Sequence, residues 1–178
     1  DTAGDSVSSA KVTVAVEKLA KDNSKLPNAE FTLFEYSEEE KEDYTKVENA
    51  SVIEKGTAAT KTIWVKKVGN QQLTGSDGTT TFVGLDAQKK YCIQETNAPT
   101  GYKIQKDYHV LTGAEKISAE TSKEYQFSNF DKITVTDENL SALPSTGGIG
   151  TTIFTIGGCA IMIVAAGLFF ATRRKTQK

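Results

Sequence analysis

The sequence predicts an all-β domain, a small sandwich or partly closed barrel, followed by a polar linker and a single C-terminal transmembrane helix. Three observations carry this expectation. From about Lys11 to Lys132, polar and apolar residues alternate in short runs broken by Gly, Asn, Asp and Pro, the pattern of half-buried antiparallel strands. From Thr134 to Ala142 the chain is polar. Beyond the segment LPSTGG, an uncharged apolar run ends in Arg173, Arg174 and Lys175. At about 1.5 Å per helical residue, its roughly 23 residues cross a hydrocarbon core of about 30 Å.

The elements follow in order. Residues 1–10, DTAGDSVSSA, are small and polar and hold neither an initiator Met nor a signal peptide. They are expected to be a linker from a preceding region of a longer exported protein. The domain is expected over residues 11–133, with strands at VTVAVEK, EFTLFEY, KTIWVKKV, TTTFVGL, YCIQE, YHVL and EYQFSN. The charge-rich SEEEKEDYTKVEN reads as a solvated insertion, a loop or a helical turn. Residues 134–142 form a spacer, 143–147 a motif, 148–172 the membrane helix, and 173–178 a basic tail. By the positive-inside rule that tail is cytoplasmic and the folded zone lies outside.

Composition narrows the function classes. Of the 178 residues, 38% are hydrophobic and 25% charged, which supports a packed core and argues against wholesale disorder. The net charge of −2 hides an asymmetry, because all 23 acidic residues precede Gly147 and four of the 21 basic ones follow it. An acidic body argues against nucleic acid as a partner, since phosphate binding needs a clustered basic face. The two cysteines, Cys92 and Cys159, are not expected to pair, because Cys159 lies in the apolar run. An exported domain without disulfides needs another source of stability.

Strand parity exposes a candidate. Residues two apart share a face. Val12, Val14 and Val16 continue into Lys18; Tyr91 and Ile93 continue into Glu95; Tyr125 and Phe127 continue into Asn129. A lone inward lysine or glutamate is costly unless partnered or neutralised. Three such residues of complementary chemistry are therefore expected to meet. Desolvation favours a neutral amine and a neutral acid, so Lys18 can act as nucleophile, Asn129 as electrophile, and Glu95 as the acid that polarises the amide and shuttles protons. The product is an amide cross-link between first and last strands, released with ammonia. Asp131 has the same parity as Asn129 and is the rival acceptor, releasing water. A plain Lys–Glu salt bridge is the simpler alternative.

Tyr91-Cys-Ile-Gln-Glu95-Thr-Asn-Ala98-Pro99-Thr-Gly101-Tyr102 resembles the "E-box" of the B-type (CnaB) repeat domains of collagen-binding adhesins and Gram-positive pilins, with Ile93 in place of Leu. Glu17 to Glu35 resembles their opening strands, with Asn28 where Gly is common, and the stretch from Asp77 resembles the approach to the E-box. The resemblance covers about Lys11 to Lys132, interrupted near residues 37–72. It implies an immunoglobulin-like β-sandwich with Lys18 as amine donor, Glu95 as catalytic acid and Asn129 as acceptor of an isopeptide bond.

Leu143, Pro144, Ser145, Thr146 and Gly147, then the apolar run and basic tail, resemble the LPXTG sorting signal of Gram-positive surface proteins. Pro144 keeps the segment extended, and Gly147 lets an enzyme approach the Thr146 carbonyl closely. The resemblance implies that a sortase cysteine attacks Thr146 and releases everything from Gly147 onward. An amine then resolves the thioester, from a peptidoglycan precursor or a neighbouring pilin lysine. The working protein would thus be wall-anchored, meeting the membrane only as a precursor.

Other constellations are missing from the sequence. His109, the single histidine, has no ligand partners in sequence and is expected at the surface, so no metal site is expected. Cys92 has opposite parity to Glu95 and is expected away from the reaction centre. There is no phosphate loop and no Ser-His-Asp arrangement, hence no cofactor and no turnover enzyme within the chain. Asn49-Ala-Ser51 matches a glycosylation acceptor, which carries little weight in a bacterial setting. The expected function is that of a structural pilin subunit or pilus-associated protein. The alternatives are the stalk of a wall-anchored adhesin, with a host or matrix ligand bound by a preceding region, or the wall tether of an exported enzyme. No Tyr-Pro-Lys type polymerisation motif occurs, and Lys66-Lys67 lacks that context.

Overall fold

A computed structural model describes residues 10–118 and 125–140. The expected sorting motif, membrane helix and basic tail lie outside the described residues. The described residues form eleven strands: β1 (Lys11–Ala20), β2 (Glu30–Ser37), β3 (Thr45–Glu54), β4 (Thr57–Lys67), β5 (Gln72–Leu73), β6 (Thr79–Asp86), β7 (Tyr91–Asn97), β8 (Tyr108–Val110), β9 (Lys116–Ser118), β10 (Tyr125–Phe127) and β11 (Ile133–Asp137).

The alternation read from the sequence is literal in β1. Val12, Val14, Val16 and Lys18 point inward, while Thr13, Ala15, Glu17 and Leu19 are only partly covered. This strand is the centre of a three-stranded sheet ordered β11-β1-β6, antiparallel to β6 and parallel to β11. The second sheet has the order β4-β3-β8-β7-β2-β5. Its β4 also returns to pair with β2, Tyr36 standing opposite Val65. The pairings β2–β7, β7–β8, β8–β3, β3–β4 and β4–β2 therefore close a ring of five strands. The domain is a sandwich whose second sheet is rolled into a small barrel.

This closure produces two cores. One lies between the sheets and holds Val12, Val14, Val16, Phe31, Leu33, Tyr91, Ile93 and Val135, among others. The other lies inside the barrel and takes residues from all five strands: Tyr36, Ala50, Val52, Ile63, Val65, Cys92 and Val110. Strand β7 is the shared wall, and so its first three residues are all buried. Tyr91 and Ile93 face the sandwich, whereas Cys92 faces the barrel, on the side away from Glu95 that its parity predicts. Burial raises the Cys92 thiol far above its ordinary range, which makes it unreactive.

Three expectations change. The charge-rich insertion is a solvated loop with a turn only over residues 38–44; its second half is β3, which forms a hairpin with β4. Only Ala50 and Val52 of β3 are buried, because one face meets a narrow barrel interior and the other meets solvent. The spacer expected from Thr134 begins instead as β11, with Val135 and Asp137 inward and Thr134 and Thr136 outward. His109 is buried rather than exposed, since β8 is covered on both sides.

Candidate functional site

Lys18 enters the site from the middle strand of the three-stranded sheet. Its backbone is held on both sides, its N–H donating to the Gly78 carbonyl at 2.8 Å and its carbonyl accepting from Leu26 N–H at 3.0 Å. Gly78 has φ of +71°, and a Cβ there would sit 2.9 Å from the Lys18 oxygen. Glycine is thus required by both conformation and space.

Glu95 enters from β7, on the face of Tyr91 and Ile93, and its Oε1 lies 3.0 Å from Lys18 Nζ. Its other oxygen accepts the Gln105 N–H at 2.7 Å. The third member is Asp137, at the end of β11, whose Oδ1 accepts directly from Lys18 Nζ. In the β1–β11 ladder Lys18 stands opposite Val135 and Ala20 opposite Asp137, so Asp137 is diagonal to Lys18 on the same inward face. The side chains of Lys18, Glu95 and Asp137 are all fully buried, at 0% exposure. The Phe31 ring centroid lies 5.9 Å from the lysine nitrogen and closes the site against water.

The turn after β7 joins the two carboxylates. Tyr102 closes a turn to Pro99 and forms a bridge with Asn139. Lys103 N–H donates to Glu138 C=O at 2.9 Å, and Leu140 N–H to Gly101 C=O at 2.9 Å. The segment that follows Glu95 in sequence therefore holds the residues just after Asp137.

Burial pushes the Glu95 carboxyl above its ordinary range, with the Gln105 N–H and Lys18 opposing. Burial likewise raises Asp137, opposed by Lys18. Each carboxyl also acts on the other, and Glu95 Oε1 and Asp137 Oδ2 have no hydrogen-bond partner of their own. One ammonium facing two carboxylates leaves an excess negative charge in an apolar site. A single proton held on the carboxyl pair removes it. The arrangement is then a buried amine source, an acid and an electrophilic carbon in contact.

Of the residues expected to meet, Lys18 and Glu95 do, and Asn129 does not join them. The chain leaves β10 after Phe127, so the parity linking Tyr125, Phe127 and Asn129 breaks. Asn129 is exposed, and its Oδ1 accepts the Thr13 N–H at 3.1 Å. Asp131, the rival, is exposed beside Thr112. The acidic partner that sequence reasoning missed is Asp137. A signal for it existed: Val135 and Asp137 repeat, in shorter form, the apolar-then-acid parity of Ile93 and Glu95.

Two family models match the chain. The prealbumin-like fold domain, SpaA, matches residues 12–125, and the LPXTG cell wall anchor motif matches residues 136–178. The chain belongs to the SpaA prealbumin-like family. Its anchor motif marks a cell-wall-anchored surface protein of a Gram-positive bacterium. It is 34% identical over 97 residues to the fimbrial subunit type 1 of Actinomyces viscosus, covering 51% of this chain and 16% of that protein. The chain thus spans about a sixth of that relative's length. Among solved structures it is similar to the group B streptococcus pilus 2b backbone protein, at 19% identity and a TM-score of 0.45, covering 75% of this chain and 43% of that one. It is also similar to the Bacillus cereus major pilin BcpA, at 20% identity and a TM-score of 0.42, covering 72% and 29%.

Proposed function

We propose that this SpaA-family domain is a structural part of a pilin or pilus-associated protein, clamped by a Lys18–Asp137 isopeptide bond that forms with help from Glu95. The observation that carries the reading is the contact of these three side chains in a fully buried site. The first and last strands of the domain supply the amine and the acceptor, so the bond would lie across the path of a pulling force. In a protein with Cys92 as the free, buried cysteine of the described residues, an amide clamp supplies permanence that reductants cannot reverse.

The chemistry balances as a condensation. The Lys18 ammonium passes a proton to the Asp137 carboxylate, leaving an amine beside a neutral acid. The Nζ lone pair attacks Cγ of Asp137, while Glu95 donates its proton to the carbonyl oxygen that gains charge. Glu95 then takes a proton from the nitrogen and returns one to the departing oxygen. The Nζ–Cγ bond forms, the Cγ–O bond breaks, and water leaves. Folding makes the step intramolecular, which supplies much of the rate.

The anchor segment gives the other half of the reading. A sortase would cut between Thr146 and Gly147 after recognising Leu143, Pro144 and Ser145, with a membrane-inserted precursor holding the substrate in place. The acyl group at Thr146 would pass to a peptidoglycan amine or a neighbouring pilin lysine. A host or matrix ligand would be bound by other regions of a longer protein.

Intact mass tests the clamp. The folded chain is expected about 18 Da lighter than its sequence, and Glu95→Ala is expected to restore the full mass. An unchanged mass in the wild-type chain removes the cross-link reading. For the anchor, wall-released protein that still carries the apolar tail rules out cleavage at Thr146.

A further inference from the structure

Glu95 has two oxygens in different surroundings. Oε2 accepts the Gln105 N–H at 2.7 Å, and Oε1 lies 3.0 Å from Lys18 Nζ. The N–H belongs to the connection between β7 and β8, a strap fastened on both sides of Gln105. Before it, Lys103 N–H donates to Glu138 C=O at 2.9 Å. After it, Lys106 C=O accepts from Gln94 Nε2 at 2.7 Å. Gln94 precedes Glu95 in β7, so the strand that carries the acid also holds the strap that touches it.

The orphaned carboxyl oxygens of the site are Oε1 of Glu95 and Oδ2 of Asp137, one from each acid. The two carboxyls are within hydrogen-bonding reach of each other. A proton on Oε1 shared with Oδ2 satisfies both oxygens. A proton on Oε2 satisfies neither, because an N–H can only donate and a hydroxyl oxygen accepts more weakly than a carboxylate oxygen.

We propose that the backbone N–H of Gln105 positions the acid of the cross-link site: by occupying Oε2 it confines the proton of the carboxyl pair to Oε1, the oxygen beside Lys18. The proposal rests on the cross-link reading above. It gives two buried carboxyls that both meet Lys18 their separate roles. Glu95, with one oxygen committed to the strap, lends the proton; Asp137, whose Oδ2 has no donor of its own, receives it and becomes the electrophile. In the condensation written above, Oε1 gives its proton to Asp137 and later takes one from Nζ, while Oε2 keeps its N–H throughout. Gln105 is thus a positioning residue through its main chain, and its side chain is dispensable.

The same contact affects pH dependence. Burial raises the Glu95 carboxyl, with the Gln105 N–H and then Lys18 opposing. The charged groups facing it are Lys18 from β1 and Asp137 from β11. Strand β2 sets uncharged Phe31 opposite Glu95, β8 sets His109 opposite Ile93, and the strap adds Asp107 and the exposed Lys103 and Lys106. Without the N–H, Glu95 keeps its proton to higher pH.

The test uses the full chain assembled from peptides joined at Cys92 and Cys159 in denaturant, so that no bond forms before dilution starts folding. Mass is read against time at several pH values for wild type, Gln105→Ala and Gln105→Pro. Gln105→Ala keeps the N–H and is expected to match wild type. Gln105→Pro lacks it and is expected to form the bond about tenfold more slowly at its best pH. Its alkaline limb, where the site loses the proton of the carboxyl pair, should also lie at higher pH. If Gln105→Pro does not fold, a chain with an ester in place of the Ile104–Gln105 amide removes the same N–H without a ring. A wild-type rate in the ester or in folded Gln105→Pro overturns the proposal. So does a Gln105→Ala as slow as Gln105→Pro, or a slow chain with an unmoved limb, which would mean a displaced strap alone. A wild-type chain that loses no mass at any pH defeats the cross-link reading instead. The Glu95 titration, followed by NMR, then tests the N–H by itself: it should lie higher without the N–H, and an unmoved titration overturns the proposal.

Discussion

The Nζ of Lys18 donates to Oδ1 of Asp137, a residue 119 positions away, across the parallel ladder that the first and last strands form. Neither residue can leave this arrangement without exposing the other's buried charge. If the pair condenses, the resulting amide closes nearly the whole domain into one loop. By the chain-entropy argument for cross-links, a closed loop of this size stabilises by roughly 4 to 5 kcal/mol. Asp137→Ala is expected to restore the full mass and lower stability by at least that amount, read by intact mass and thermal melting. Asn129→Ala and Asp131→Ala are expected to keep the bond, since both residues lie on the exposed side of the domain. Loss of the bond in Asn129→Ala would assign the acceptor to the wrong residue here.

The lysine depends on a residue that has no side chain. Gly78 lies against Lys18 O, Leu26 N and the Lys25 side chain, so Gly78→Ala forces backbone apart and also strains a left-handed φ. Overpacking of this kind costs about 1 to 3 kcal/mol, and the positive φ adds to it. The variant is expected to melt lower and to form its bond more slowly, because the displaced strand segment is the one that carries Lys18. Mass against time after refolding gives the rate, and a wild-type rate would show that Lys18 is placed by its side-chain partners alone.

Much of this site is legible before folding, and the failures have physical causes. Lys18 and Glu95 end apolar stripes three and two residues long, Val12 to Val16 and Tyr91 to Ile93, and such stripes hold their parity because the strands are continuous. Asn129 fails the same test because the chain turns out of its strand after Phe127. Asp137 escapes notice because Val135 is the single fully buried apolar residue before it, and the outward threonines make the stretch read as a linker. The sequence allows a partly closed barrel, but which strands close it is illegible for a related reason. Its hairpin strands bury few side chains each, so no single strand of the insertion shows a clear apolar stripe.

That second core yields a separate prediction. Ile63 is fully buried within the barrel, on the side of the shared wall away from Lys18. Ile63→Ala removes three carbons from a small, closed interior and is expected to cost about 2 to 5 kcal/mol. The sandwich core that surrounds Lys18 uses other residues, so the cross-link should still form to completion. Denaturant melts and intact mass on the same sample check both halves. If Ile63→Ala loses the bond while folded, the two cores are not independent.

Removing the lysine charge turns the site into a pH sensor of known sign. Burial raises both Glu95 and Asp137 and Lys18 opposes it, so Lys18→Met removes that opposition and leaves only the Gln105 N–H at Glu95 and the Glu95 hydrogen bond at Asp137 working against burial. Their folded pKa values then lie above the unfolded ones, near about 4. Below that range both states hold the protons and the penalty is absent. As pH rises through the window between unfolded and folded pKa, the unfolded chain releases protons that the folded one keeps, and stability falls. The slope is up to about 1.4 kcal/mol per pH unit for each carboxyl. Urea midpoints of Lys18→Met are therefore expected to drop as pH rises above about 4, and adding Glu95→Gln should flatten the drop by removing one of the two groups. A midpoint that climbs over this range, or a slope indifferent to the second substitution, would mean that the carboxyls are ionised within the fold and that Glu95 holds no proton to lend.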